Sequence, residues 1–548
     1  MSAALTRIDT FLSQLAERSI LAPLFVAVFA VLLFLPGFAS LPPTDRDEAR
    51  FAQASRQMAE TGDLIDIRLG ASTRYKKPVG IYWLQTASVW ITGATNEIWA
   101  YRLPSLLSAV GSAVLTYLVA LSLMGARPAF LAGLLMASTL TLGAEARIAK
   151  TDAALLLTTL LAIWPLAKLH MTGQLQKPWI FWAALGASML IKGPIAIMVV
   201  GLAIAALSLV RRDITWLAPL KPNRGLVLFA AIVLPWYVAI SFTAGWAFWD
   251  EALIGDFLSK IGEGQESHGA PPGTYLLAVW LTFWPAAVML PMALWFGWTH
   301  RRDQAVLFCL AWIIPTWIVF EITATKLLHY VLPVYPALAI LAAAGWLARS
   351  EAPGRAYCWA AAAILGIGLI TVMLPLGFVL WLGGVPHPIW LLGFVLFALG
   401  AFVFWCAFRA GLPLAPGLLA GILTAGVMTS FFATLARFDA LWPSNALAAF
   451  VAEAPCLAPQ IFSARYHEAS LIFLSPSWPV FTSAPEAASG AVEAGCAVVF
   501  VDARDRQAFD AALGAVTAQE IGSFYGFTLG RAEEVEITAW VIDVSPGG

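Results

Sequence analysis

The sequence predicts an α-helical polytopic membrane protein that ends in a small α/β domain. Two features of composition and one of patterning lead there. Of 548 residues, 60% are hydrophobic and 12% charged, about half the charged share of a soluble protein. Mean hydropathy is +0.79. Apolar stretches suited to a bilayer recur up to about residue 433 and then stop. The formal net charge of −1 offers no basic face for nucleic acid.

The apolar spans fall near 20–39, 103–124, 128–143, 153–169, 178–191, 194–210, 225–243, 274–298, 305–320, 328–347, 357–381, 389–408 and 413–433, about thirteen transmembrane helices in all. The first follows Arg7 and Arg18 and ends at Gly37-Phe38-Ala39, loosely like a signal-cleavage site. It is longer than the roughly 7–15 apolar residues of a signal peptide and reads as a retained span. Alternate short connections carry Arg127, then Lys168 and Lys177, then Arg211, Arg212, Lys221 and Arg224, then Arg301 and Arg302, Arg349 and Arg355, and Arg409. Basic connections stay in the cytoplasm. The N-terminus is therefore expected to be cytoplasmic, and segments 41–102, 244–273 and 440–548 extracytoplasmic. In a bacterium this is a multi-pass inner-membrane protein with a periplasmic tail. The expected units are a transmembrane domain over 1–439, with interfacial helices at about 41–102, and an α/β domain over 440–548.

Thr44-x-x-Asp47 and Asp45-x-x-Glu48 resemble capping boxes, and Gly62 is a stop signal, so a helix is expected between them. Phe51, Ala54, Ser55 and Met58 would form a stripe lying in lipid. In the tail, Ile461-Phe462, Leu471 to Leu474, Ala497 to Val501 and Trp540 to Ile542 read as strands, with helices near 445–453 and 505–516. Cys309, Cys358 and Cys406 read as small buried hydrophobes. A Cys456–Cys496 disulfide is permitted in an oxidising compartment.

Ionisable groups at the edge of apolar spans are functional candidates. Asp47 and Glu48 stand just beyond the first span, followed by Arg50, Arg74, Lys76 and Lys77. Read alone, Lys77 before Pro78 is more readily an interfacial anchor than a ligand contact. Lys326 and His329, three residues apart, would share a helical face, and read alone they are more readily an interfacial anchor than a holder of lipid phosphate. Glu145, Arg147, Lys150 and Asp152 form either a self-neutralising cluster or a substrate contact. His268 sits in a Gly-Pro-rich loop.

In order along the chain, Asp47-Glu48-Ala49-Arg50-Phe51, Met58 to Asp63, Lys77-Pro78 to Tyr82-Trp83, Arg102-Leu103-Pro104, Arg147 with Thr151-Asp152, Lys192-Gly193-Pro194, Pro235-Trp236-Tyr237, His268-Gly269 and Lys326 to Pro333 form a series. The series resembles the family 39 membrane glycosyltransferases, and most closely the bacterial lipid A aminoarabinose transferases. The resemblance covers about residues 20–350. It implies the GT-C fold and a polyprenyl-phosphate-linked sugar donor with a lipid or glycan acceptor such as lipid A. It assigns Asp47 to the catalytic acidic position, Asp152 to a second acidic motif, and Arg50, Lys77 and Tyr330 to the lipid-phosphate site, with His268 nearby. Glu48, Arg147, Lys326 and His329 complete the candidate substrate-binding set. The residue before Lys77 is often a metal-linked Glu in this family; here it is Lys76, which weighs against a bound divalent ion.

The implied chemistry is inverting sugar transfer, with cations stabilising the departing phosphate and Asp47 serving an acceptor hydroxyl or the cationic sugar. Other sugars (galacturonic acid, mannose, hexosamine), other acceptors, and a lipid-linked-sugar flippase are the competing readings. A flippase would place charges near the bilayer midplane, often in inverted repeats, whereas here they gather at span ends.

Overall fold

The computed structural model describes residues 2–252, 269–455 and 458–543. His268 and Cys456 lie outside the described residues. Among those described, seven helices are long and apolar enough to cross a membrane, or nine when each sharply bent pair counts as one span. The bent pairs are Ala3–Ala16 with Leu21–Phe34, at 119°, and Thr274–Thr282 with Ala286–Thr299, at 115°. Shorter apolar helices at Ala126–Ser138, Trp179–Lys192, Ile195–Arg211 and Leu332–Ala348 occupy the other expected positions. The chain is a polytopic membrane protein.

The helices that frame the site are α1 (Ser2–Ala16), α2 (Leu21–Phe34), α3 (Asp47–Thr61), α4 (Gly80–Thr92), α5 (Ile98–Met124), α6 (Ala126–Ser138), α7 (Leu140–Glu145), α8 (Asp152–Thr172), α9 (Trp179–Lys192), α10 (Ile195–Arg211) and α11 (Pro222–Ala244). Helix α5 lies along α8, and α10 along the Gln304–Ile322 helix. Close approach is bought with small residues. A Cβ on Gly426 would stand 2.5 Å from the backbone nitrogen of Phe397, so the helices Pro388–Arg409 and Ala415–Met428 touch backbone to backbone.

Helix α3 forms where the sequence expects it, but its surroundings differ. Its N-cap is Arg46, without a side-chain cap bond, and the Thr44 amide and hydroxyl both donate to Glu48 Oε2. At the other end Gly62 adopts the left-handed conformation. The stripe does not enter lipid: Phe51, Ala54, Ser55 and Met58 are buried in protein. Ser55 Oγ donates to Gln85 Oε1 of α4 at 2.7 Å, and Phe51 meets the Tyr82 ring. The polar member of the stripe marks a protein partner.

The tail folds as a five-stranded sheet in the order β4-β3-β5-β7-β6. Its strands are β3 (Gln460–Ala464), β4 (Val480–Thr482), β5 (Cys496–Asp502), β6 (Gln519–Thr528) and β7 (Glu533–Asp543), while β1 (Arg68–Leu69) and β2 (Ser72–Thr73) form a hairpin in the first loop. β3 pairs parallel with β4 and β5; β7 pairs antiparallel with β5 and β6. The expected strand at Leu471–Leu474 is instead the helix Ala469–Leu474. A short apolar run fits either state, and here it packs as a helix onto α3. Strands β4 and β6 and the helix Ala484–Ala494 were not anticipated. Cys496 is disulfide-bonded, while Cys309, Cys358 and Cys406 are free.

The tail grips the first loop through Asp45, whose Oδ1 accepts from Ser470 Oγ. Burial pushes the Asp45 carboxyl up to about 6; Glu468 raises it further, while the Ser470 bond, Arg531 and Arg46 oppose the rise. A folded value above the free-chain value means that the folded state holds its proton longer. The stabilisation is complete below the free-chain value of 3.8 and is lost as pH rises through about 6. The expected result is that Asp45→Asn melts above wild type at pH 7 and that the gap closes as pH falls to 4.5. Tryptophan-fluorescence melting in detergent measures this, and a pH-independent gap contradicts the assignment.

Candidate active site

A cavity of about 580 Å³ opens among the first loop, the loop-side ends of α8 to α10, and the segment after the Gln304–Ile322 helix. Among the described residues, seven cations line it (Arg46, Arg50, Arg74, Lys76 and Lys77 from the first loop, Lys150 and Lys192 from the helix ends) against two acids, Asp47 and Asp152. Its other wall is apolar, with Ile195, Met198, Phe320 and Leu332. One chamber thus joins a strongly cationic surface to a hydrocarbon-like one.

Helix ends supply the charges. Asp47 stands in the first turn of α3 and Asp152 in that of α8, while Lys192 is in the last turn of α9. These are the ends where helix dipoles favour each sign. Asp152 and Lys192 then meet across the α8–α9 pair at 2.5 Å, with the ammonium 5.3 Å from the Tyr330 ring centre. Lys150 reaches Glu145 at 3.3 Å. His329 lies between the two acids, Nδ1 3.6 Å from Glu145 and Nε2 3.5 Å from Asp152. Burial outweighs the pull of Asp152 and pushes the imidazole down to about 3, so His329 is neutral. Burial likewise pushes Glu145 up to about 7 against the pull of Lys150.

Asp47 is different. Its side chain is exposed to the cavity and makes no hydrogen bond or ion pair with any described residue. The Arg50 side chain is also without such a partner among them. Arg74 is buried against the Phe51 ring, 5.2 Å from its centre, and its Nε has no partner. Unsatisfied buried donors carry a desolvation cost that an anion at the site would relieve. The residue before Asp47 is also unusual: Arg46 has φ 64° and ψ −110°. Such a backbone in a non-glycine residue costs on the order of 1–3 kcal/mol and must be held by its surroundings.

Glu145, Asp152 and His329 place ligand atoms within 4.8 Å of one another, and Glu145 Oε2 has no hydrogen-bond partner. Both carboxylates are nevertheless held by ammonium groups at 3.3 and 2.5 Å. A divalent ion would have to enter beside two like charges, so these residues do not fit one, and no step is derived through a metal.

Of the residues singled out in the sequence, the cavity gathers Asp47, Arg50, Lys77, Asp152, His329 and Tyr330. Three others lie elsewhere. Glu48 is buried in a two-pronged ion pair with Arg102, at 2.7 and 2.9 Å, and accepts from the Ala149 amide. Arg147 is buried and donates to the carbonyls of Leu33, Pro36 and Gly143 near the end of α2. Lys326 donates to the Ala270 and Thr323 carbonyls and does not line the cavity. It shares no helical face with His329, because the helix ends at Ile322. The cavity also holds Arg46, Arg74, Lys150 and Lys192, to which the motif series assigns no role. Lys150 and Lys192 had a readable signal, a charge at the end of an apolar span. Arg46 had none, since its place depends on a positive φ.

Residues 76–238 match the family described as dolichyl-phosphate-mannose-protein mannosyltransferase. The chain is 29% identical over 332 residues to the undecaprenyl phosphate-alpha-4-amino-4-deoxy-L-arabinose arabinosyl transferase of Pectobacterium atrosepticum, covering 59% of this chain and 58% of that protein. It is 30% identical over 329 residues to the protein of that name from Aeromonas hydrophila, covering 58% and 59%. The matched stretch thus spans less than two thirds of these relatives. In structure it is similar to ArnT from Cupriavidus metallidurans in the apo state, with TM-score 0.75, 20% identity, and 96% of this chain and 98% of that one covered. Against the same protein bound to undecaprenyl phosphate the TM-score is 0.75 at 21% identity, covering 94% and 97%. The fold is the GT-C fold of membrane glycosyltransferases. Within that class the chain resembles the aminoarabinose transferases, as its motif series implied.

Removing one partner of a buried ion pair costs about 3–5 kcal/mol. Arg102→Ala and Glu48→Ala are therefore expected to lower the melting temperature sharply, whereas Asp47→Asn leaves it unchanged. Thermal unfolding of the purified variants checks this, and a wild-type melt for Glu48→Ala would return Glu48 to the list of site residues.

Proposed function

We propose that this protein transfers a sugar from a polyprenyl-phosphate donor to a lipid acceptor at the outer face of the bacterial inner membrane. An aminoarabinose-type sugar and lipid A are the pair to test first. The observation that carries the reading is that, among the described residues, one cavity holds an excess of cations, an apolar wall and an acid without a side-chain partner. A polyprenyl phosphate has matching parts: an anionic head and a long hydrocarbon chain. The names of the relatives support this donor chemistry.

In the reaction the bond from the anomeric carbon to the phosphate oxygen breaks, and a bond from that carbon to the acceptor oxygen forms on the opposite face. The departing phosphate gains a negative charge. Arg50, Arg74 and Lys77 are the cations we assign to it, because charge stabilisation counts most where charge develops in a low-dielectric site. A hydroxyl acceptor would give its proton to Asp47; a phosphate acceptor needs no base, and Asp47 then faces the positive charge that builds on the sugar. Lys192, Asp152 and Tyr330 shape the chamber beside them. Lys76 adds a fixed positive charge where the family's metal-linked Glu would stand.

We place the N-terminus in the cytoplasm and the first loop and tail outside, with residues 1–439 as the transferring unit and 440–548 as a periplasmic domain. The basic short connections support this orientation.

Asp47→Asn is expected to reduce transfer by roughly two orders of magnitude, a usual worth for a group that moves a proton or opposes developing charge. Lys77→Ala is expected to weaken binding of undecaprenyl phosphate. Transfer is expected to be insensitive to chelators. These are read with purified protein, undecaprenyl-phosphate-linked sugar and lipid A. Near-normal turnover of Asp47→Asn removes that residue from the mechanism.

A further inference from the structure

The tail reaches to within two residues of Asp47. Asp45 is followed by the strained Arg46 and then by Asp47. On one side of this turn Glu48 is locked to Arg102. On the other side Asp45 accepts from Ser470, which comes from the C-terminal domain about four hundred residues later. Ser470 itself is fixed: its hydroxyl meets Ser444 Oγ at 2.6 Å, and Ser444 Oγ meets the Tyr466 hydroxyl at 2.8 Å. All three residues are buried. The β6–β7 turn closes over the same spot, Gly530 lying against Asp45 and Arg46. The tail also holds α3 lower down, where Arg56 donates to the Phe473 carbonyl at 3.1 Å.

A row of buried hydroxyls ending on a carboxylate is an expensive way to dock a domain, since burial of the charge opposes it. An apolar contact would serve docking alone. What this arrangement adds is direction. It fixes the residue before Arg46 while Arg102 fixes the residue after Asp47, so an unfavourable backbone is pinned at both ends. We propose that the C-terminal domain is a working part of the transfer site. Ser470, through Asp45, holds the Arg46 turn so that Asp47 faces the cavity, and Ser470 is a positioning residue for the reaction. This rests on reading the cavity as the transfer site.

The test uses full-length protein in detergent with undecaprenyl-phosphate-linked sugar and lipid A. It reads kcat, the donor KM, binding of undecaprenyl phosphate alone, and melting temperature. Ser470→Ala is expected to lower kcat about tenfold to a hundredfold, the scale of a small misplacement of a reacting group. Undecaprenyl phosphate binding stays within about twofold, because the bond acts on orientation and not on the cation set. Ser470→Thr, which keeps the hydroxyl, and Asp45→Asn, which keeps the acceptor, stay near wild type, while Asp45→Ala behaves like Ser470→Ala. The double variant Ser470→Ala with Asp45→Ala is no worse than either single one, since both remove one bond.

Wild-type kcat in Ser470→Ala overturns the proposal. So do losses that multiply in the double variant, and so does a parallel fall of phosphate binding, kcat and melting temperature. If Ser470→Ala yields no folded protein, Asp45→Ala against Asp45→Asn decides: equal kcat in the two overturns the proposal. Wild-type protein that binds no undecaprenyl phosphate and moves no sugar defeats the functional reading instead, a distinct result.

Discussion

The structure depends on one buried ion pair. Arg102 enters from α5 and uses all five of its N–H groups. Nε and one terminal nitrogen grip Glu48 at 2.7 and 2.9 Å, and the others bond the carbonyls of Phe38, Leu41 and Pro42 at 2.6–3.0 Å. Glu48 in turn accepts from Thr44 and from the amide of Ala149. A single contact therefore joins the chain leaving the first span, the start of α3, the span α5, and the strand of loop that enters α8. Both side chains are shut away from water, so their charges are tolerable only as a pair with every donor matched. The cavity acids on either side, Asp47 and Asp152, inherit their positions from this knot.

Around it the chamber is built from chain ends. Its acids start helices, and Lys192 ends one. These three charges are stabilised before any substrate arrives. The inner acids are countered by Lys150 and Lys192, with the neutral imidazole of His329 lying between them. Farther out, the Arg50 side chain has no partner among the described residues. That division separates a rigid electrostatic floor from the groups that meet a ligand.

The sequence was most legible where physics is local. Span positions followed from apolar length, and α3 from its spacing and from Gly62. The association of Asp47, Arg50, Lys77, Asp152, His329 and Tyr330 followed from an ordered motif series. What could not be read were contacts that depend on distant partners. Glu48 resembles Asp47 in sequence, and only Arg102, fifty-four positions away, decides that one is structural and the other exposed. Arg147 and Lys326 look like phosphate ligands until carbonyl groups of other segments appear beside them. The Leu471–Leu474 run is long enough for a strand, and its helical state comes from packing on α3, which no local pattern records.

Helix α2 contains 14 residues, or about 21 Å at the usual rise, well short of the ~30 Å of hydrocarbon a span normally crosses. Its last carbonyls would be stranded in an oily medium if Arg147 did not reach across to accept the burden. With that end satisfied from inside the protein, the polar chamber can begin where the helix stops. If the donor is the lipid-linked phosphate proposed above, it would reach this chamber sideways, its head entering the charge and its tail keeping to the apolar wall.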